Sequence, residues 1–239
     1  MNRAWDILAA VLIVAHLVAQ AIGAQVLADS TQVLLMPALA GAVWNRPEVP
    51  RGTRSARLYA GALFFSWAGD AAPRILGDDA GFIAMVTAFG IAQACFVATF
   101  HHLRRTRLHP MVIVGYIAGF AALFAACASG AGSLLPLVAV YGVVLVAAAA
   151  SATRVNLLVG VGGLVFFASD SLIGLEAFAI WYRAPAHDLL VMTSYIAAQV
   201  LIAMGMLREW RADSIEAGAM ASDPTGSAQA GDGSVEQSA

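Results

Sequence analysis

The sequence predicts an all-α, polytopic membrane protein: a helical bundle of eight transmembrane helices with N- and C-termini in the cytoplasm. Three observations predict it. Of 239 residues, 60% are hydrophobic and only 12% charged, whereas soluble domains carry about 25% charged residues. The apolar residues gather into eight stretches, most of them near the ~20 residues that cross a bilayer. The arginines, finally, divide unevenly between the two ends of those stretches.

The stretches run over 5–27, 31–44, 57–76, 80–100, 110–128, 133–150, 154–176 and 187–207. The first exceeds the roughly 7–15 apolar residues of a signal-peptide core and contains His16 and Gln20, so it reads as a retained span. The second is short and holds Pro37, which predicts a tilt or kink. With eight spans and the N-terminus inside, eleven arginines (Arg3, Arg46, Arg51, Arg54, Arg57, Arg104, Arg105, Arg107, Arg154, Arg208 and Arg211) face the cytoplasm, and two, Arg74 and Arg183, face out. That asymmetry is the one the positive-inside rule requires. The span domain occupies 1–210. Over 211–239 the chain turns to Ala, Ser, Gly, Asp and Glu without an apolar period, a composition that buries too little surface to fold and predicts a disordered cytoplasmic tail.

Several function classes are excluded at this level. A formal net charge of −2 gives no electrostatic footing for nucleic acid. All thirteen basic residues are arginine. Cys95 and Cys127 lie in apolar runs without partner spacing, which predicts two free, buried thiols and no disulfide or metal framework. His101 and His102 sit among Arg104, Arg105 and Arg107 at a helix end and read as an interfacial basic cluster. No metal site and no cofactor is expected.

Two carboxylates stand apart. Asp70 closes the run Gly61-Ala-Leu-Phe-Phe-Ser-Trp-Ala-Gly-Asp70, and Asp170 closes Gly162-Gly-Leu-Val-Phe-Phe-Ala-Ser-Asp170. A charge at the centre of a span costs about 2.5–3.5 kcal/mol even on lenient scales, so such residues face the bundle interior and mark function. Counted from Arg57 and Arg154 at 1.5 Å per residue, they lie ~20 Å and ~24 Å along spans three and seven. Tyr195 and Gln199, descending span eight from His187, reach ~12 Å and ~18 Å by the same rise, within range of the aspartates. Phe89 and Gln93 are spaced as Tyr195 and Gln199 are, an aromatic four residues before a glutamine. The correspondence of spans three and four with seven and eight suggests a four-plus-four parallel repeat, a pattern known in transporters.

Ser66 shares the helical face of Asp70 at i−4, and Pro73 removes a backbone donor just beyond it. Arg74, at i+4, offers Asp70 a cation; Asp170 has none nearby. The catalytic candidates are therefore Asp70 and Asp170, with Ser66, Tyr195, Gln199 and Gln93 as substrate-binding candidates. Gln93, like His16, Gln20 and Gln32, also suits a packing role, and Tyr195 with Gln199 also suits interhelical hydrogen bonding.

The ordered set Leu34-Leu-Met-Pro37, the Asp70 block, Gly163-Leu-Val-Phe-Phe-Ala-Ser-Asp170-Ser and Ser194-Tyr-Ile-Ala-Ala-Gln199 resembles the YhhN-like lysoplasmalogenase family of multi-pass membrane proteins over about residues 30–205. The resemblance implies an eight-span bundle that hydrolyses the vinyl-ether bond of lysoplasmalogens, a class of lysophospholipid, to a fatty aldehyde and a glycerophospho-alcohol. It carries the family's acidic positions onto Asp70 and Asp170 and its aromatic-glutamine motif onto Tyr195 and Gln199. The family often has lysine where Gln32 stands and histidine where Gln93 stands. Vinyl-ether hydrolysis needs one protonated acid and one anion, as glycoside hydrolysis does. Asp170, without a cation, is expected to be the acid, and Asp70, near Arg74, the anion. The alternative is a small-molecule or lipid transporter whose midspan carboxyls carry protons. An intramembrane aspartyl protease fits less well, because Trp67-Ala-Gly-Asp70 lacks the glycine two positions before the Gly-Asp pair. The expected setting is the cell membrane, with a lysophospholipid and the bilayer itself as partners and no nucleic acid; the oligomeric state is left open.

Overall fold

The computed structural model describes residues 3–221 and is all-helical. Eight α-helices follow in order: α1 (Arg3–Ala21), α2 (Gln25–Trp44), α3 (Arg54–Leu76), α4 (Asp78–His102), α5 (Pro110–Ala131), α6 (Leu135–Ala152), α7 (Leu157–Phe178) and α8 (His187–Ala221), with a 3-10 turn at Gly132–Leu134 between α5 and α6. In hydrocarbon a helix satisfies its own backbone groups, which is why such apolar runs fold this way. Their ends are set locally. Thr53 Oγ1 accepts from the Ala56 amide at the start of α3, and Asn156 Oδ1 from the Val159 amide at the start of α7, both N-caps of the expected kind. Gly77, at φ 65°, is the single residue between α3 and α4, a left-handed turn that glycine makes without a Cβ clash.

Six stretches among the described residues, not eight, are long and apolar enough to cross a membrane: Arg3–Ala21, Gln25–Trp44, Asp79–His102, Pro110–Ala152, Leu157–Phe178 and His187–Met220. The expectation of eight transmembrane helices is corrected on two counts. α3 drops out because Arg54, Arg57, Asp70 and Arg74 dilute its hydropathy, and α5, the 3-10 turn and α6 form one 43-residue apolar stretch. The cytoplasmic placement of both termini and the four-plus-four repeat were built on eight spans, and with six neither follows. Pro37 and Pro73 lie inside helices that continue through them, and α2 begins at Gln25, six residues before the expected span. α8 continues to Ala221, past the expected domain boundary at 210, and the rest of the expected tail, 222–239, lies outside the described residues.

The membrane setting is visible on the surface. Ile7, Val11, Val14, Val18 and Ile22 are all exposed along and just beyond α1, an apolar stripe at helical spacing of the kind a lipid-facing helix presents. Inside, Tyr59, Phe96, Phe100, Phe166, Ile202, Met206 and Trp210 form the core. Within lipid there is little hydrophobic force between helices, so close packing by small residues matters more. Gly162 meets α8 and Gly163 meets α6: a Cβ would fall 2.8 Å from Ile202 at the first and 2.6 Å from Ala152 at the second. Two adjacent glycines thus let α7, which carries Asp170, press against neighbours on both sides.

Polar ties finish the bundle. His16 Nδ1 lies 3.0 Å from Thr31 Oγ1 and 3.1 Å from the Ala28 carbonyl, joining α1 to α2. Arg105, beyond α4, is ion-paired with Glu209 and Asp213 of α8, and Asn156 Nδ2 donates to the Gly205 carbonyl at 2.9 Å. Both cysteines are free; Cys127 is buried as expected, while Cys95 is only half-buried.

Candidate functional site

Asp70 and Asp170 face inward, at 4% and 7% exposure, near enough for their charges to interact. The Gly69 that precedes Asp70 is what lets α4 approach: a Cβ there would fall 2.7 Å from the Phe89 ring. Asp70 Oδ2 accepts from the Tyr195 hydroxyl at 2.9 Å, across from α3 to α8, and Oδ1 accepts from Gln32 Nε2 of α2 at 3.3 Å. One turn earlier, Gln199 Nε2 donates to Ser66 Oγ at 3.2 Å. The ring of Tyr195 stands edge-on to Phe89 and Phe166, with centroids 5.8 Å and 5.6 Å away.

Asp170 has its own tyrosine. Tyr141 of α6 donates its hydroxyl to Asp170 Oδ2. Gln93 of α4, also buried, lies against Asp170 and Tyr141, while its Nε2 is outside hydrogen-bond geometry with any described group. Gln199 Oε1 is likewise buried and unpartnered among the described residues. Two buried amide side chains, Gln93 and Gln199, therefore flank the carboxyl pair, each able to donate and accept.

The two carboxyls open onto different surroundings. Asp170 and Tyr141 line a cavity of about 60 Å³ between α4, α5, α6 and α7, whose other walls are apolar, among them Phe82, Phe120, Phe124 and Ile173. At ~10–15 Å³ per water it has room for a few molecules. Asp70 instead ends a polar chain. Arg74 donates to the Asp70 backbone carbonyl at 2.7 Å, to Gln32 Oε1 at 2.7 Å and to Asp29 Oδ1 at 2.8 Å, and Gln32 in turn donates to the Asp70 carboxylate.

All six residues singled out from the sequence, Asp70, Asp170, Ser66, Tyr195, Gln199 and Gln93, are buried, on α3, α4, α7 and α8. Arg74 stays beside Asp70 without an ion pair to it: its guanidinium bonds the Asp70 backbone carbonyl and partners on α2, with Gln32 bridging it to the Asp70 carboxylate. Tyr141 and Gln32 were missed as site residues. Tyr141 carried a signal, being the one polar side chain in Leu135–Ala150 of α6. Gln32 carried one only through the family resemblance, as the position where lysine often stands, since its partner lies 38 residues away. Among the described residues no group of three or more His, Cys, Asp or Glu is placed to hold a metal ion.

Compared with known proteins, residues 27–206 match the model of the YhhN family. No curated protein and no solved structure matches the chain.

Proposed function

The chain belongs to the YhhN family, and on that footing we propose that it is a membrane hydrolase that cleaves the vinyl-ether bond of lysoplasmalogen-type lysophospholipids. The observation that carries the reading is the pair of buried carboxyls, each hydrogen-bonded to its own tyrosine, with one of them lining an apolar cavity. Hydrolysis of an alkenyl ether needs an acid beside an apolar chain and an anion beside water, two carboxyls in unlike surroundings.

Asp170 is assigned as the acid. Tyr141 holds Oδ2, leaving Oδ1 to carry the proton that passes to the outer alkene carbon. That transfer leaves an oxocarbenium ion at the carbon bonded to the ether oxygen. Asp70, held by Gln32 and Tyr195, stabilises the cation and takes a proton from the water that adds to it. The resulting hemiacetal collapses to the fatty aldehyde and the glycerophospho-alcohol, and the proton on Asp70 is returned to the pair. One water is consumed, and neither a redox partner nor a covalent intermediate is required. Gln93 and Gln199, the latter held by Ser66, position the reacting end of the substrate and its water.

The experiment is aldehyde release from a lysoplasmalogen by purified, detergent-solubilised protein, beside Asp70→Asn and Asp170→Asn. Release by the parent chain and its loss in both variants is the expected result. No release by a folded parent chain, or full release by either variant, overturns it.

A further inference from the structure

The polar chain that ends on Asp70 begins at an arginine with donors to spare. A guanidinium has five N–H groups, and Arg74 spends three, on Asp29, Gln32 and the Asp70 carbonyl. Two remain. Its side chain is a quarter exposed, and Asp29, the carboxylate it pairs with among the described residues, is 39% exposed. An ion pair that open is worth about 0–1 kcal/mol, so a better anion can displace it. Phosphate, with geometry matched to the guanidinium fork, is such an anion.

The surroundings name the molecule that would bring the phosphate. Ile75 and Leu76, next to Arg74 at the end of α3, are both exposed, which sets the cation against lipid. Arg74 follows Asp70 by one helical turn, ~6 Å, a span comparable to the glycerol that separates an ether oxygen from the phosphorus of a lysophospholipid. The cavity beside Asp170 lies among α4 to α7, and Arg74 lies with α2, so apolar and cationic features flank the carboxyl pair on different sides.

We propose that Arg74, held by Gln32 and Asp29, is the binding site for the phosphate of a single-chain ether phospholipid, with Asp29 occupying it while the site is empty. The inference rests on the lysophospholipid reading above and adds the residue that distinguishes phosphate-bearing lipids from neutral ones. Arg74 is a positioning residue: it touches the head group, and its link to the Asp70 carboxylate runs through Gln32.

Equilibrium binding of a saturated ether analogue tests it, because a saturated chain has no alkene to protonate and the readout is independent of turnover. Purified protein is titrated with a 1-O-alkyl-glycerophosphocholine and with the 1-O-alkylglycerol of the same chain. The parent chain is expected to bind the phosphate-bearing ligand at least about tenfold more tightly, the scale of charge-assisted hydrogen bonds. Arg74→Gln should abolish that preference without weakening the alkylglycerol, and Arg74→Lys should keep part of it. Asp29→Asn removes the competing carboxylate and should bind the phosphate-bearing lipid at least as tightly as the parent. Equal weakening of both ligands by Arg74→Gln, no weakening of either, or weaker phosphate-lipid binding by Asp29→Asn overturns the proposal. Displacement of both ligands alike by inorganic phosphate also overturns it, as a site for the free ion. Absence of aldehyde release with this binding pattern intact would refute the hydrolase alone.

Discussion

Asp70 and Asp170 are chemically the same side chain, each closing a similar aromatic run on its helix, and they end in different surroundings. Asp70 is held by two donors from remote helices and joined through Gln32 to an arginine. Asp170 is held by Tyr141, with Gln93 against it, and faces an apolar cavity. The difference does not come from the flanking sequence. It comes from α2 and α8 on one side and α6 on the other, so the surroundings of two like residues are set by which helices the fold brings to them. Arg74 shows the point most clearly: one turn from Asp70 on the helical face, it bonds the Asp70 backbone carbonyl and finds its side-chain partners on α2.

Removing either carboxyl should break the comparison with the largest effect. Asp70→Asn and Asp170→Asn are each expected to lower the rate of aldehyde release by at least about 100-fold, the lower end for a general acid or base. Full aldehyde release by either variant would show that its carboxyl takes no part in the reaction.

The tyrosines sharpen it. Tyr141→Phe removes the hydrogen bond that the Asp170 carboxyl accepts from the tyrosine hydroxyl, whereas after Tyr195→Phe the Asp70 carboxyl keeps Gln32. A net hydrogen bond is worth about 1 kcal/mol, so Tyr141→Phe should slow turnover several-fold and Tyr195→Phe less. Single-turnover kinetics of the two variants reads the order, and the reverse order would invert the asymmetry.

Two glycines test the packing behind each carboxyl. A Cβ on Gly69 would press on the Phe89 ring at 2.7 Å, whereas on Gly174 it would meet Cys127 Sγ at 3.8 Å, an ordinary contact. Gly69→Ala should therefore destabilise the fold by about 1–3 kcal/mol, as overpacking does, and Gly174→Ala should leave the melting temperature within a degree or two of the parent or raise it, since alanine is the better helix former. Thermal unfolding in detergent measures both.

The smallest effect lies away from both sites. Glu48, in the loop between α2 and α3, accepts from Arg211 of α8, and that bond, with its own backbone amide, holds its carboxyl below the usual range. A depressed carboxyl contributes stability above its unfolded pKa and loses it as pH falls through the lower folded value. Glu48→Gln should thus lower the melting temperature slightly at neutral pH, by the equivalent of about 1 kcal/mol or less, with the gap closing in acid. Aldehyde release should be unaffected.

Much of the membrane-helix content was legible, because an apolar run in lipid has few ways to satisfy its backbone. So was the burial of Asp70, Asp170, Ser66, Tyr195, Gln199 and Gln93, since a polar group inside such a run must turn inward. The span count was not. Hydropathy alone does not cross the charges of α3 or divide the 43 residues of Pro110–Ala152. Spacing within one helix reaches only i+3 and i+4, which is why it paired Arg74 with the Asp70 carboxylate and passed over Gln32 and Tyr141, whose partners sit 38 and 29 residues away.

The ring of Tyr195, set edge-on between Phe89 and Phe166, has a consequence in time as well as in space. A ring hemmed by two others rotates only when the surrounding core loosens, so its flips should be slow, with the hydroxyl staying near the Asp70 oxygen between them. The order that a flexible site would have to acquire on meeting its ligand is already present here from folding, which is the kind of advance positioning that lowers an activation barrier.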